Sequence, residues 1–227
     1  MGQVASEEEI QSLNTKDMQI KGADVKYMDE LDLLVFQLNT EGQAGNTAPK
    51  ARGELNGAPV LGYVFPTSLK SEDVGFNKMD GVVALAVTAH PDFDDTPLWD
   101  ENNDGNYKND GVTWHTHWVV LGPDKRVKGG LSVIEFKKED ASVVLPPTNP
   151  GMPMYMDSPG YSVVTNKENL TVLVPSQRID HKKEFNYDAV SAYMEVNTSD
   201  EKRPLLGVYE VYGVLSGDLS LPYTVKK

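Results

Sequence analysis

Apolar and polar positions alternate with a period of two through most of the chain beyond its first twenty residues. Runs rich in Val, Leu, Tyr and Thr are separated by clusters of Gly, Pro, Asn and Asp. A strand sends successive side chains to opposite faces, so this period marks half-buried β-strands, and the turn residues mark their ends. The candidate strands are Ala23–Met28, Leu31–Asn39, Val60–Phe65, Val82–His90, Val112–Leu121, Leu131–Phe136, Tyr161–Asn166, Leu170–Val174, Asp188–Asn197 and Leu205–Leu215. The pattern predicts an all-β chain, an antiparallel β-sandwich or barrel-like fold of about ten strands. Before them, Ser6-Glu7-Glu8-Glu9 has the spacing of a capping box and predicts a short helix over Glu7–Leu13. Residues 1–17 are therefore expected to be a short helix or flexible arm, and 18–227 a single β domain. The Pro-rich stretch from Leu145 to Gly160 is the best internal boundary, but too little chain follows it to make a second domain.

Two strands stand apart. Val82–His90 is apolar on both faces, as a strand covered from both sides would be. Val112–Leu121 alternates, with Trp114, Thr116 and Trp118 on one face and His115, His117 and Val119 on the other.

Composition narrows the function classes. The chain has 227 residues, 39% hydrophobic and 24% charged, enough to bury a core without covalent staples. It has no Cys, which excludes Cys nucleophiles and thiolate metal sites. With 21 Lys and Arg against 34 Asp and Glu, the net charge is −13, a surface that repels nucleic acid and anionic lipid. No apolar run approaches the roughly 20 residues of a membrane-spanning helix, so neither nucleic acid nor membrane insertion is expected. Met1-Gly2-Gln3-Val4-Ala5-Ser6 fits the loose N-myristoylation pattern, but Glu7, Glu8 and Glu9 follow instead of a basic cluster. The simpler reading is a start placed where a signal peptide was removed, which implies a secreted, periplasmic or cell-surface protein.

Asp100-Glu101-Asn102-Asn103-Asp104-Gly105 matches the start of a calcium loop. Ca²⁺ takes six to eight hard oxygens, and alternate residues of one tight turn can present them. Asp100, Asn102, Asp104 and Asn106 hold the ligand positions, with Asp110, or Asp92, Asp94 or Asp95, to complete the shell. The twelfth position is Gly111 instead of Glu, and strands flank the loop, so an EF-hand is rejected while the calcium chemistry is kept. Without an ion, the same residues would form an ordinary solvated turn.

Three of the four His lie near this loop. His115 and His117 point to one face of a strand, with Cβ atoms roughly 7 Å apart, a distance one Zn²⁺ or Cu²⁺ ion can bridge. If the strands flanking the loop pair, His90 approaches from the neighbour, and a three-His site with an open position can activate water. The competing expectation is three hydrogen-bonded imidazoles on buried strands. His115-Thr116-His117-Trp118 resembles the His-x-His-Trp strand of the α-class carbonic anhydrases over those four residues. His-x-His also resembles the opening of the cupin motif, but Leu121 and Gly122 stand where that family's Glu would follow. Neither family is assigned.

Met152, Met154 and Met156 alternate and suit either a core edge or Cu(I). Trp99, Trp114 and Trp118 suit either the core or a platform for stacking sugars. No nucleophile elbow, phosphate loop or dinucleotide fingerprint is present. The sequence thus points to a metal-binding β domain with Ca²⁺ in the acidic loop and Zn²⁺ or Cu²⁺ at His90, His115 and His117. The competing classes are a zinc-dependent hydrolase or hydratase and a calcium-ordered module that binds carbohydrate or another small molecule.

Overall fold

The computed structural model describes residues 4–95 and 113–227. The fold is nearly all β, with thirteen strands among these residues. They are β1 Ile20–Met28, β2 Leu33–Thr40, β3 Pro59–Pro66, β4 Val82–Ala89, β5 His115–Pro123, β6 Leu131–Val133, β7 Met156–Asp157, β8 Val163–Asn166, β9 Asn169–Pro175, β10 Asn186–Tyr187, β11 Val190–Val196, β12 Leu206–Val214 and β13 Tyr223–Thr224. Each of the ten expected strands has its counterpart. The two-residue strands β7, β10 and β13 are too short to leave a period in the sequence.

Six strands close into an antiparallel barrel. The order β4-β3-β11-β12-β6-β5 returns to its start because β4 also pairs with β5, and β7 adds to β5. Closure removes most of the exposed strand edges that an open sheet would present. A second sheet, β1-β2-β9-β8, lies against the barrel wall. Its inner face follows from strict alternation. Leu34, Phe36 and Leu38 of β2 and Leu170, Val172 and Val174 of β9 are fully buried, while the residues between them are partly exposed.

The same alternation explains why β4 is apolar on both faces. Val83, Leu85 and Val87 point outward into the layer between barrel and sheet, whereas Ala84 and Ala86 point into the barrel. Phe36 anchors the outer layer, with its ring edge-on to Phe65 at 5.4 Å and to Trp118 at 6.4 Å. Inside the barrel small or flexible side chains, among them Ala84, Ala86, Ala192, Met154, Met156 and Met194, are interspersed with Val and Leu. Gly62 belongs to this economy of space, since a Cβ there would meet the Met194 methyl at 2.7 Å.

The N-terminal segment is a docked helix. In α1, Glu7–Ser12, Ser6 and Glu9 cap each other as expected, and Ile10 is buried. The Ala5 amide donates to the buried Glu195 carboxylate at 3.0 Å and ties the helix to β11.

Candidate metal centre

The β4–β5 pairing places Thr88 opposite His115 and Ala86 opposite His117. Paired residues of antiparallel strands point to the same side, so both imidazoles enter the barrel at one end. His90 follows directly after β4, and the chain then turns back through Pro91, Asp92 and Phe93. Asp92 holds that turn by accepting hydrogen bonds from the Arg52 and Gly53 amides at 2.7 and 2.6 Å. Asp95 lies at the end of the turn. His90, Asp95, His115 and His117 are all buried, and a ligand atom from each lies within 4.8 Å of the others.

The hydrogen bonds around the rings decide which nitrogens face inward. His90 Nδ1 lies 2.9 Å from the Phe93 carbonyl and His115 Nδ1 lies 2.6 Å from the Thr113 carbonyl. A carbonyl only accepts, so both Nδ1 atoms carry a proton, and in the neutral form of each ring the Nε2 atom carries a lone pair. His117 Nδ1 meets Ser158 Oγ at 3.0 Å, and its buried Nε2 has no hydrogen-bond partner among the described residues. Phe93 further fixes His90 by stacking on its ring at 3.9 Å.

The inward atoms crowd together. His90 Nε2 and His115 Nε2 are 2.9 Å apart. Asp95 Oδ1 is 3.0 Å from His115 Nε2 and 3.3 Å from His90 Nε2, and Asp95 Oδ2 is 3.6 Å from His117 Nε2. Lone pairs facing one another and a carboxylate at these distances repel unless a proton or a cation lies between them. Bonds of about 2.0–2.1 Å to a small ion put ligand atoms about 3.3 Å apart in a tetrahedron and about 3.0 Å apart at adjacent octahedral positions. The separations of 2.9, 3.0 and 3.3 Å match that range, and the 3.6 Å between Asp95 Oδ2 and His117 Nε2 lies beyond it.

Electrostatics reinforce the arrangement. Burial pushes the His117 imidazole down to about 3 against the pull of Asp95, aided by the neighbouring His115 and His90, so the ring is neutral near pH 7. Burial works to raise the Asp95 carboxyl, but positive charge on the His117 and His90 imidazoles and hydrogen bonds from His115 and His90 outweigh it and hold the carboxyl well below the usual carboxylate range, a role that passes to a bound cation when the rings are neutral. Neutral imidazole and ionised carboxylate are the forms that bind metal. The cluster could hold a metal ion.

The structure thus brings together His90, His115 and His117 and adds Asp95, which the sequence offered only as a spare oxygen for the calcium loop. Asp92, Asp94 and Asp95 all follow His90 closely, and no spacing rule selects the third. Asp100, Asn102, Asp104, Asn106 and Asp110 lie outside the described residues, as does Trp99. Trp118 is core, packed on Phe36 with its indole N–H donating to Tyr161 Oη at 3.2 Å. Trp114 is partly buried against Tyr63 and donates to the Gly45 carbonyl at 2.7 Å. Met154 and Met156 belong to the barrel interior, and all three Met line a small void beside His90, Asp95 and His117. His181 is exposed.

Fold and site define a closed β-barrel protein with a buried three-His, one-Asp cluster. No protein-family model matches the chain, and no curated protein or solved structure is significantly similar to it.

Proposed function

We propose that this protein is a mononuclear metalloprotein that holds one divalent transition-metal ion between His90, Asp95, His115 and His117. The observation that carries the reading is the direction of the imidazole lone pairs. Two Nδ1 atoms are committed to carbonyl acceptors, and the Nε2 atoms converge on one another and on a carboxylate. Outer hydrogen bonds of this kind fix the tautomer of metal-binding His. Zinc is the first choice, because neutral imidazoles with a carboxylate suit its donor preference. Copper is the second, since imidazole suits its divalent form and the three thioethers beside the cluster suit its reduced form. Water activation would need a fifth coordination position beside these four ligands, and with that position open a hydrolase or hydratase is the enzymatic form of the proposal.

The acidic segment from Asp100 to Asp110 supports a separate calcium ion on its spacing alone. An exported or cell-surface location is the companion proposal, supported by the acidic composition.

Elemental analysis of protein purified without added metal tests the transition-metal reading. About one zinc or copper per chain is expected, lost in His115→Ala and in His117→Ala while the circular dichroism of the folded state persists. No transition metal in the wild type after zinc and copper have been offered, or an ion that survives both substitutions, would refute it.

A further inference from the structure

The barrel interior is not filled. A chamber of about 220 Å³ runs along its axis, walled almost wholly by carbon from residues such as Val64, Ala86, Val119, Ala192 and Val208. The small side chains Ala86 and Ala192 leave much of this space. At one end the wall includes Val82 and Leu219, which are 38% and 37% exposed, so the chamber meets solvent there. At the other end it is closed by Thr88 and His117, both buried. These two residues and Met156 also line the void beside His90 and Asp95. The inner end of the chamber is therefore a wall of the candidate metal centre.

Two polar atoms are stranded at that inner end. His117 Nε2 and Thr88 Oγ1 are buried and have no hydrogen-bond partner among the described residues. A metal ion would satisfy the first. Thr88 Oγ1 would remain, a donor and acceptor at the bottom of a hydrocarbon-lined chamber, and a buried polar group without a partner is costly enough to call for an explanation.

We propose that the chamber binds a small, neutral, mostly apolar molecule whose single polar group points inward to Thr88 and to the metal ion. This rests on the metal reading above and gives it a ligand class. The size follows from volume. A cavity of about 150 Å³ takes the six carbons of benzene, so ~220 Å³ admits about nine non-hydrogen atoms, a single ring with a short substituent. The carbon lining excludes charged ligands, because an ion buried there would lose its hydration without a counter-charge.

Calorimetry on the cobalt-loaded protein tests the proposal, with 4-ethylphenol and its hydrocarbon counterpart 4-ethyltoluene as probes. One molecule of 4-ethylphenol should bind per chain, and its addition should change the visible cobalt bands. Binding should weaken at least tenfold in Ala192→Phe, which fills the chamber away from the metal ligands. Thr88→Val should bring the two probes to within about threefold of each other, where the wild type prefers the phenol by tenfold or more. Cobalt loading without saturable binding of either probe would overturn the chamber and leave the metal reading standing. Probe binding that Ala192→Phe abolishes in a protein that takes up no cobalt would retain the chamber and sink the metal reading. Unchanged cobalt bands with phenol bound would overturn the inward orientation, and tight binding of decanoate in place of both probes would overturn the ligand class. Should Ala192→Phe not fold, xenon-pressurised crystals of the wild type replace it. Xenon density in the chamber is expected, and its absence would count against an accessible cavity.

Discussion

Replacing Asp95 with Asn separates a metal centre from a buried hydrogen-bond network. The two side chains have nearly the same shape, so packing is conserved, but Asn has no charge and carries an amide that donates. In metal-free protein the Asp95 carboxylate faces the Nε2 lone pairs of His115 and His90 at 3.0 and 3.3 Å. An amide there, turned toward His117, would donate to its Nε2, the buried atom of the cluster without a hydrogen-bond partner among the described residues, 3.6 Å from Asp95 Oδ2. Relieving one unsatisfied buried polar group is worth about 1–3 kcal/mol. For a chain of this size each kcal/mol moves the melting temperature by roughly 2–4 °C, so the metal-free variant should melt roughly 2–12 °C above the metal-free wild type.

With metal the gap narrows, and it reverses where the relief in the variant is worth less than about 2.7 kcal/mol. A ligand at a hundredfold excess over its dissociation constant stabilises the folded state by about 2.7 kcal/mol, a rise of roughly 5–10 °C. Loss of an outer-shell partner alone weakens metal binding about 10–100-fold, and loss of the one anionic ligand should weaken it at least as much as the upper end of that range. At the same zinc concentration the variant should therefore show almost no rise. Differential scanning fluorimetry of both proteins, with chelator and with zinc, should give a steep rise for the wild type and a nearly flat line for the variant, which starts higher. If the Asp95→Asn variant melts lower than wild type in chelator and the zinc-induced rise is unchanged, Asp95 serves a hydrogen-bonded core and the metal assignment fails.

Other outcomes follow from the layers around the site. Phe36→Ala empties the layer between sheet and barrel and should cost about 3–5 kcal/mol in urea denaturation, with zinc affinity unchanged because the site lies inside the barrel wall. A shift in zinc affinity beyond about threefold would contradict that separation. The Arg126 guanidinium, with its own amide and the Ser132 hydroxyl, pushes the Asp124 carboxyl down to about 2 against a modest opposing effect of burial. A carboxyl lowered on folding contributes stability above its unfolded value of 3.8 that is lost as pH falls toward 2. Arg126 is 38% exposed, so solvent screening reduces this to on the order of 1 kcal/mol. Asp124→Asn should flatten the urea midpoint between about pH 4.5 and 2.5 by that amount, and an unaltered profile would exclude the pair as its cause. For the acidic segment, Asp104→Ala should remove a calcium-induced rise in melting temperature and leave the melting point in chelator unchanged. Equal wild-type melting points in calcium and in chelator would exclude a stabilising ion there.

Periodicity alone determined a great deal of this protein. Period-two alternation located the ten longer strands, and the Ser6–Glu9 capping box located the helix, because both depend on neighbours within a few residues. It also placed His115 and His117 on one face, and it marked β4 as covered from both sides. What alternation could not say is which strand lies beside which. Whether the strands make a sandwich or a closed barrel depends on β4 pairing with both β3 and β5, and on β12 returning to β6, contacts between residues far apart in the chain. The same closure turned two strand-borne imidazoles into an internal site, brought His90 across from β4, and selected Asp95 from three nearby acids by the path of one turn. The chamber is legible only in three dimensions, since an empty volume belongs to no residue. It arises where Ala86 and Ala192, unremarkable one by one, face a common axis and leave it unfilled.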